Sequence, residues 1–165
     1  MENTTKLIHA TTIYLDGYGV MISGPSGIGK SSLALDLLND AHGFEYILLN
    51  SGNNKLVADD QTLIAKVETD GGAQLQANCP QNIEGKFEVR GLGIINLPYK
   101  SPAPINLYVE IVDNLPERMP AKKNQTRKLL GVSISFIQIY KNDRFAKARV
   151  RAALYAHMRD KLISS

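Results

Sequence analysis

The run Gly24-Pro25-Ser26-Gly27-Ile28-Gly29-Lys30-Ser31 has the spacing of a phosphate-binding loop, G-x-x-x-x-G-K-[S/T]. Its glycines let the backbone turn tightly, so that successive N–H groups face phosphate oxygens with the positive end of the following helix behind them. Lys30 then brings a mobile positive charge to the transferring phosphates. The Ser31 hydroxyl is placed for a magnesium ion that bridges them. The alternative is a glycine-rich hairpin whose lysine only faces water. An apolar run before the loop and a helix-like run after it argue against that, since strand, loop, helix is the order the motif requires.

Three other groups could do chemistry. Leu56-Val57-Ala58 ends in Asp59 and Asp60, and successive strand residues point to opposite faces. One of the two should therefore act on substrate or metal, while the other is structural or reaches the site around the strand end. A kinase for a hydroxyl group needs a carboxylate to accept the hydroxyl proton; the competing reading is a solvated acidic pair in a loop. Glu88 and Arg90 lie two apart and, on one strand, share a face, which suits a carboxylate for a cation and a guanidinium for phosphate oxygens. An exposed ion pair would look the same. His9 is a lone strand histidine, a type more often structural than catalytic.

These residues need elements to hold them. Leu7–Ile13, Tyr14–Leu15 and Gly19–Ile22 read as strands, the last two around the turn 16–18, and Ser32–Leu38 begins an amphipathic helix. The segment 41–54 reads as an extra hairpin or loop around Tyr46–Leu49. Lys55–Asp60 is a short strand with Thr62–Val67 as its companion, and Gly71-Gly72 closes a hairpin onto Ala73–Gln76. Two glycines interrupt the strand-like segment Phe87–Ile95, suggesting a bend where backbone approaches a ligand. Ile105–Val112 and Val132–Tyr140 alternate as strands. Asn142 or Asp143 can cap a last helix with Val150, Leu154, Met158 and Leu162 on its apolar side and Lys147, Arg151 and Arg159 on another line. Many strands and two helices disfavour a doubly wound parallel sheet.

The chain has 165 residues, 44% of them hydrophobic, enough for one well-buried domain spanning 1–165. One cysteine, Cys79, excludes an internal disulfide framework, and neither a membrane span nor a signal peptide is visible, so a cytoplasmic protein is expected with no membrane or nucleic-acid partner. The net charge of +3 hides a division: residues 1–113 carry 7 basic and 13 acidic groups, and residues 114–165 carry 12 and 3. The basic segment 114–165 is read as part of the same domain. Its Lys122, Lys123, Arg127 and Lys128 are expected to be the mobile part of a surface that docks an acidic partner or subunit, with a solvated helix face as the alternative.

Taken together, His9, the loop GPSGIGKS, the stretch LVADD at 56–60 and EVRGLGIIN at 88–96 resemble the catalytic domain of HPr kinase/phosphorylase. The resemblance runs from about residue 6 to about residue 113. It implies an α/β fold with a mixed, strand-rich sheet around the phosphate loop and few helices. It also implies a bifunctional enzyme that uses ATP or pyrophosphate to phosphorylate a serine of an HPr-like phosphocarrier, and that removes the phosphate with inorganic phosphate, releasing pyrophosphate. By that resemblance Asp59 is the proton acceptor in the forward direction and donor in reverse, supported by His9. Residues 24–31 hold phosphates, Ser31 and Glu88 bind Mg²⁺, and Arg90 belongs to a segment needed for the reverse reaction. A homo-oligomer, hexameric in the family, is expected as well. The sequence departs from the pattern in lacking the family's N-terminal regulatory domain, in Ser32 after the loop serine, in the inserted segment 41–54, and in having only Arg118 or Arg127 as candidates for a catalytic C-terminal arginine. The rival readings are a phosphate-loop small-molecule kinase or ATPase and a non-catalytic nucleotide-binding regulator. Retention of Lys30, Ser31, Asp59 and Glu88 together argues against the regulator.

Overall fold

The structure is a computed structural model that describes residues 4–39 and 54–159. Thr5–Leu15 (β1) and Tyr18–Ser23 (β2) form an antiparallel hairpin about Asp16 and Gly17, both at positive φ. An Asp-Gly turn of this kind matches the twist of its flanking strands. The two strands read from the sequence between Leu7 and Leu15 are one strand, because nothing there breaks the run of apolar and β-branched residues. Lys30–Leu38 (α1) follows the phosphate loop. The reading of 41–54 as a hairpin lies, except for Asn54, outside the described residues.

Lys55–Ala58 (β3) and Gln61–Thr69 (β4) do not pair as a hairpin, as the sequence suggested. Both run antiparallel to β1, and their registers are continuous: Ala58 faces Thr12 and Gln61 faces His9, three residues further along each strand. Asp59 and Asp60 are thus the interruption in one long partner strand of β1. Asp60 makes the interruption by taking a φ of 64°, a left-handed conformation that aspartate tolerates better than most side chains. Gly72–Asn78 (β5) then pairs with β4 across the turn at Asp70 and Gly71.

Lys86–Val89 (β6) and Gly93–Asn96 (β7) form a separate antiparallel hairpin. Here too the sequence reading is corrected. Phe87–Ile95 is not a strand bent by glycines toward a ligand; Gly91 and Gly93 hold φ of 83° and 116° because they make the hairpin turn, and a Cβ at either would meet open space. Arg90 lies in that turn, outside β6, so it does not share a strand face with Glu88.

Ala103–Pro104 (β8), Leu107–Val112 (β9), Thr126–Leu129 (β10) and Val132–Tyr140 (β11) complete a nine-stranded sheet in the order β10-β11-β9-β2-β1-β4-β5-β8, with β3 also on β1. β10 was not legible in the proline-bearing basic stretch that contains it. Strands β2, β9 and β11 are parallel neighbours, so the ends of β9 and β11 and the phosphate loop after β2 lie at the same end of the sheet. This mixed, strand-rich sheet with two helices among the described residues is the expected fold class.

Alternation along the central strands separates two apolar faces. Ile13, Leu15, Val20, Ile22, Val109 and Ile139 meet Leu33 and Leu37 of α1 and Val150 and Leu154 of Ala146–Met158 (α2). On the other side Ala10, Met21 and Ile134 meet Ile64, Leu75 and Ile105, because the β4-β5-β8 part of the sheet folds over them. Each such large aliphatic side chain contributes about 1.5–3 kcal/mol relative to exposure. Gly19 permits the fold-over: a Cβ there would sit 1.6 Å from the Pro104 carbonyl oxygen.

The cations of α2 are partly internal. Arg151 is buried and donates to Asp16 Oδ2 at 2.9 Å and to the Leu37 carbonyl at 3.4 Å, and Lys147 reaches Asp36 at 3.1 Å. Neither Asn142 nor Asp143 caps α2, as the sequence suggested: Phe145 is the N-cap and no side chain caps the helix, while Asp143 Oδ1 accepts the Phe145 N–H at 2.8 Å in the turn before it. Leu162 lies outside the described residues. No helix among the described residues is long and apolar enough to cross a membrane.

Candidate active site

The phosphate loop begins where β2 ends. Gly24, Gly27 and Gly29 all take positive φ, and Gly29, left-handed at 110°, starts α1 without any side-chain cap. The N–H groups of the first helical turn are therefore left facing the loop, with no acidic residue in that turn to compete with an anion. A Cβ at Gly24 would lie 2.9 Å from both the Ile111 carbonyl oxygen and Ile28 Cγ2, so this glycine is also required by a close approach of β9. The Lys30 ammonium, on a buried side chain, lies across the loop and donates to the Gly24 and Pro25 carbonyls at 3.1 Å each. Phosphate oxygens are stronger acceptors for an ammonium than these carbonyls. Pro25, Ser26 and Gly27 are exposed at the loop's crest, while Ile28 turns back through its N–H onto the Pro25 carbonyl.

The two aspartates are divided between different partners. Asp59 Oδ1 accepts from Ser31 Oγ at 2.9 Å and from Thr11 Oγ1 at 3.1 Å, and its Oδ2 accepts the Glu88 backbone N–H at 3.1 Å. One carboxylate thereby joins the phosphate-loop helix, β1 and the β6–β7 hairpin. Asp60 is exposed and its Oδ1 contacts His9 Nε2 across the interrupted ladder, a pairing between residues 51 positions apart. His9 thus sits beside Asp60 and not beside Asp59, contrary to the sequence reading. The left-handed turn at Asp60 causes this, since it replaces the regular alternation assumed for the pair.

Thr11 was missed by the sequence reading. It is fully buried, donates a hydrogen bond to Asp59 and accepts the Asp60 N–H at 3.4 Å, so one hydroxyl serves both carboxylate residues where the ladder is broken. Its signal in the sequence is weak: a polar residue in an inward strand position, opposite two acids. Thr12 and Thr62, also buried, close the next gap through their hydroxyls at 2.8 Å.

Of the remaining predicted residues, Glu88 is held next to Asp59 by its own backbone and carries an exposed carboxylate, whereas Arg90 is an exposed turn residue with no contact to the aspartates. The two candidate arginines line one groove, which includes no residue of the phosphate loop. Arg118 is in the loop that leaves β9 at the phosphate-loop end of the sheet. Arg127 is on β10 facing Ile134 near the start of β11, and it stacks on Phe136 at 4.0 Å while reaching Glu110 at 3.4 Å.

A magnesium ion suits the donor set. Ser31 Oγ and the Asp59 carboxylate, with the carboxylate of Glu88 on the residue whose backbone meets Asp59, are hard oxygen ligands, and a hard dication normally takes one or two carboxylates and completes its shell with water and phosphate. Among the described residues there is no denser cluster of acids, histidines or cysteines that would suit a softer ion.

Comparison with known proteins identifies the family and the fold. The profile of the HPr serine kinase C-terminal domain matches residues 2–154. Curated relatives include the HPr kinase/phosphorylase of Bacillus subtilis, 40% identical over 93 residues, 56% of this chain and 25% of that one. The HPr kinase/phosphorylase of Nitrosomonas europaea is 38% identical over 89 residues, 54% of this chain and 23% of that one. The matched stretch thus spans about a quarter of the length of such relatives. Among solved structures, the HPr(Ser) kinase/phosphatase of Coxiella burnetii superimposes with a TM-score of 0.68 at 24% identity, covering 94% of this chain and 98% of that one.

Proposed function

This chain belongs to the HPr serine kinase C-terminal domain family, and we propose that it is a bifunctional serine kinase/phosphorylase acting on an HPr-like phosphocarrier protein with ATP or pyrophosphate as phosphoryl donor. The observation that carries the reading is the division of labour between the adjacent aspartates: Asp59 on the phosphate-loop serine, Asp60 on His9. In the forward direction the Asp60 carboxylate takes the proton of the carrier's serine hydroxyl as its oxygen attacks the terminal phosphorus of the donor, and the donor leaves one phosphate shorter. In reverse, inorganic phosphate attacks the phosphoserine phosphorus, the serine oxygen leaves with the proton held by Asp60, and pyrophosphate is the second product. One residue serves both directions because the proton is the same one.

His9 orients the Asp60 carboxylate in this scheme, and the backbone of 24–29 with Lys30 and the first turn of α1 holds the phosphates in line. Bound Mg²⁺, held by Ser31, Asp59 and Glu88, would neutralise charge on the transferring phosphates. Asp59 is thereby moved from the acid/base role expected from the sequence to metal and loop alignment. Neither Arg118 nor Arg127 is assigned to the site, since both line the groove beside β11; Arg90 keeps the role in the reverse reaction that the family resemblance implies.

We extend the proposal to the whole of 1–165 as one catalytic domain, supported by β11 pairing with β9 and by α2 packing against α1. A cytoplasmic setting and assembly into a homo-oligomer, a hexamer by the family resemblance, belong to the same proposal. Light scattering of the purified protein tests the assembly. Activity is tested by incubating the protein with ATP, magnesium and an HPr-type phosphocarrier, intact and with its acceptor serine replaced by alanine. The intact carrier should gain one phosphate by mass spectrometry and the alanine form none. ATP consumption that ignores the carrier would instead favour a small-molecule kinase or an ATPase.

A further inference from the structure

The outer edge of β11 is only half covered. β10 pairs with Val132–Ser135, but β11 continues to Tyr140 against β9. Backbone groups of successive residues in a strand point to opposite edges. Lys141 N donates to Val112 of β9 and Phe136 N donates outward to the Gln125 carbonyl at 2.8 Å, which fixes the direction for the residues between. The Tyr140 carbonyl, also outward, accepts from Asp143 N. Between these two points the Phe136 carbonyl and both the N–H and carbonyl of Gln138 face outward with no backbone partner among the described residues.

An open groove of about 860 Å³ lies along this edge and includes no residue of the phosphate loop or of the Asp59–Asp60 turn. Its floor includes Ile137 and Ile139, and Ala152 and Ala156, one helical turn apart on α2, line it with side chains too small to fill it. Its rim is basic. Arg127 and Arg149 are neutralised by Glu110 and Asp143, whereas Arg118, Lys123 and Lys128 make no ion pair among the described residues and face a single lining acid, Glu117.

We propose that this edge is a docking groove for an extended acidic segment of a partner protein, which adds as a short strand beside Phe136–Tyr140. Its main chain bonds to Gln138, alternate apolar side chains enter between Ile137, Ile139 and the two alanines, and its carboxylates meet Lys123 and Lys128. Strand addition suits an edge that a protein has not blocked with proline or a bulge, and side-chain pockets at alternate positions then supply the selectivity. Charge complementarity selects an acidic segment over a neutral one, and it predicts binding that weakens with salt.

The test uses the full chain and a panel of fluorescein-labelled heptapeptides that alternate Asp or Glu with Val, Ile or Phe, in both registers, followed by fluorescence anisotropy. At least one member should bind, and binding should weaken with added salt. Methylating the two peptide nitrogens that face β11 should weaken it roughly tenfold, while methylating the outward-facing ones should not. Ala156→Leu should also weaken it, as should the pair Lys123→Glu with Lys128→Glu, which keeps the test informative if the leucine disturbs folding. Hydrogen exchange at the Gln138 amide should slow in the complex. The proposal is overturned if no panel member binds, if N-methylation on either side has equal effect, or if the free protein self-associates with Gln138 already protected, which would make the occupant a second copy.

Discussion

Replacing each aspartate of the 59–60 pair by asparagine separates their roles. Asp60 is exposed, its side chain bonds only to His9 among the described residues, and it holds a left-handed φ that asparagine also accepts, so Asp60→Asn should leave the fold and its stability nearly intact. Alanine would be a poorer choice, since it adds backbone strain to the loss of charge. Loss of a general acid/base costs about 10²–10⁴ in rate, and here it should fall equally on serine phosphorylation and on phosphorolysis, with ATP affinity unchanged. Asp59 accepts three hydrogen bonds on its two oxygens. In Asp59→Asn the amide oxygen can keep the Glu88 N–H while the NH₂ turns the Ser31 and Thr11 hydroxyls from donors into acceptors, so what is lost is the strength of bonds to a charged, part-buried acceptor, about 1–3 kcal/mol. For a chain of this size that lowers Tm by roughly 2–12 °C. Activity should fall through a weakened demand on magnesium, and high magnesium should restore part of it. The assays are calorimetric melting, nucleotide titration and turnover in both directions at several magnesium concentrations. Loss of both reactions in Asp59→Asn at every magnesium concentration, with Asp60→Asn active, would refute the assignment.

Three further outcomes follow from buried groups. Arg151→Met should cost about 3–5 kcal/mol in chemical denaturation, because Asp16 is left without its guanidinium in a half-enclosed site and the tie from α2 to the end of α1 is lost. Burial lowers the His157 pKa below its ordinary value, so the unfolded chain binds this proton more readily. Its contribution to stability is present above the unfolded pKa and lost as pH falls through the folded one; His157→Gln should flatten the decline in Tm between pH 7.5 and 5. Cys79, raised by burial and then by Glu84 to about 11, should react with iodoacetamide at neutral pH about a hundredfold more slowly than an ordinary thiol, as followed by mass spectrometry.

The glycine-rich loop between a strand and a helix, the strands that flank it and the last helix were legible because their signals are local: glycine at fixed offsets, apolar periodicity, an Asp-Gly turn. The pairing of His9 with Asp60 was not legible, since it depends on β3 and β4 sharing one register along β1 and on one left-handed residue between them. A rule of alternating faces gives the wrong answer at such a break. Thr11 was hidden for the same reason: its function exists only where the ladder opposite is interrupted. In EVRGLGIIN the glycines were visible, but whether they bend one strand or turn a hairpin is decided by the pairing of Lys86–Val89 with Gly93–Asn96, a contact between two weak strands that the sequence does not advertise. The basic segment misled in part because charge counts ignore burial, and Arg151 is spent inside the fold.

The central claim is phosphoryl transfer to and from a protein serine through one shared acid/base, and phosphorolysis tests it most directly. Purified protein is mixed with serine-phosphorylated phosphocarrier, inorganic phosphate and magnesium, without nucleotide, and pyrophosphate is measured against loss of carrier phosphate. The two should appear in equal amounts, both should require inorganic phosphate, and Asp60→Asn should abolish both. Carrier dephosphorylation without pyrophosphate, or no change in the carrier at all, would contradict the claim.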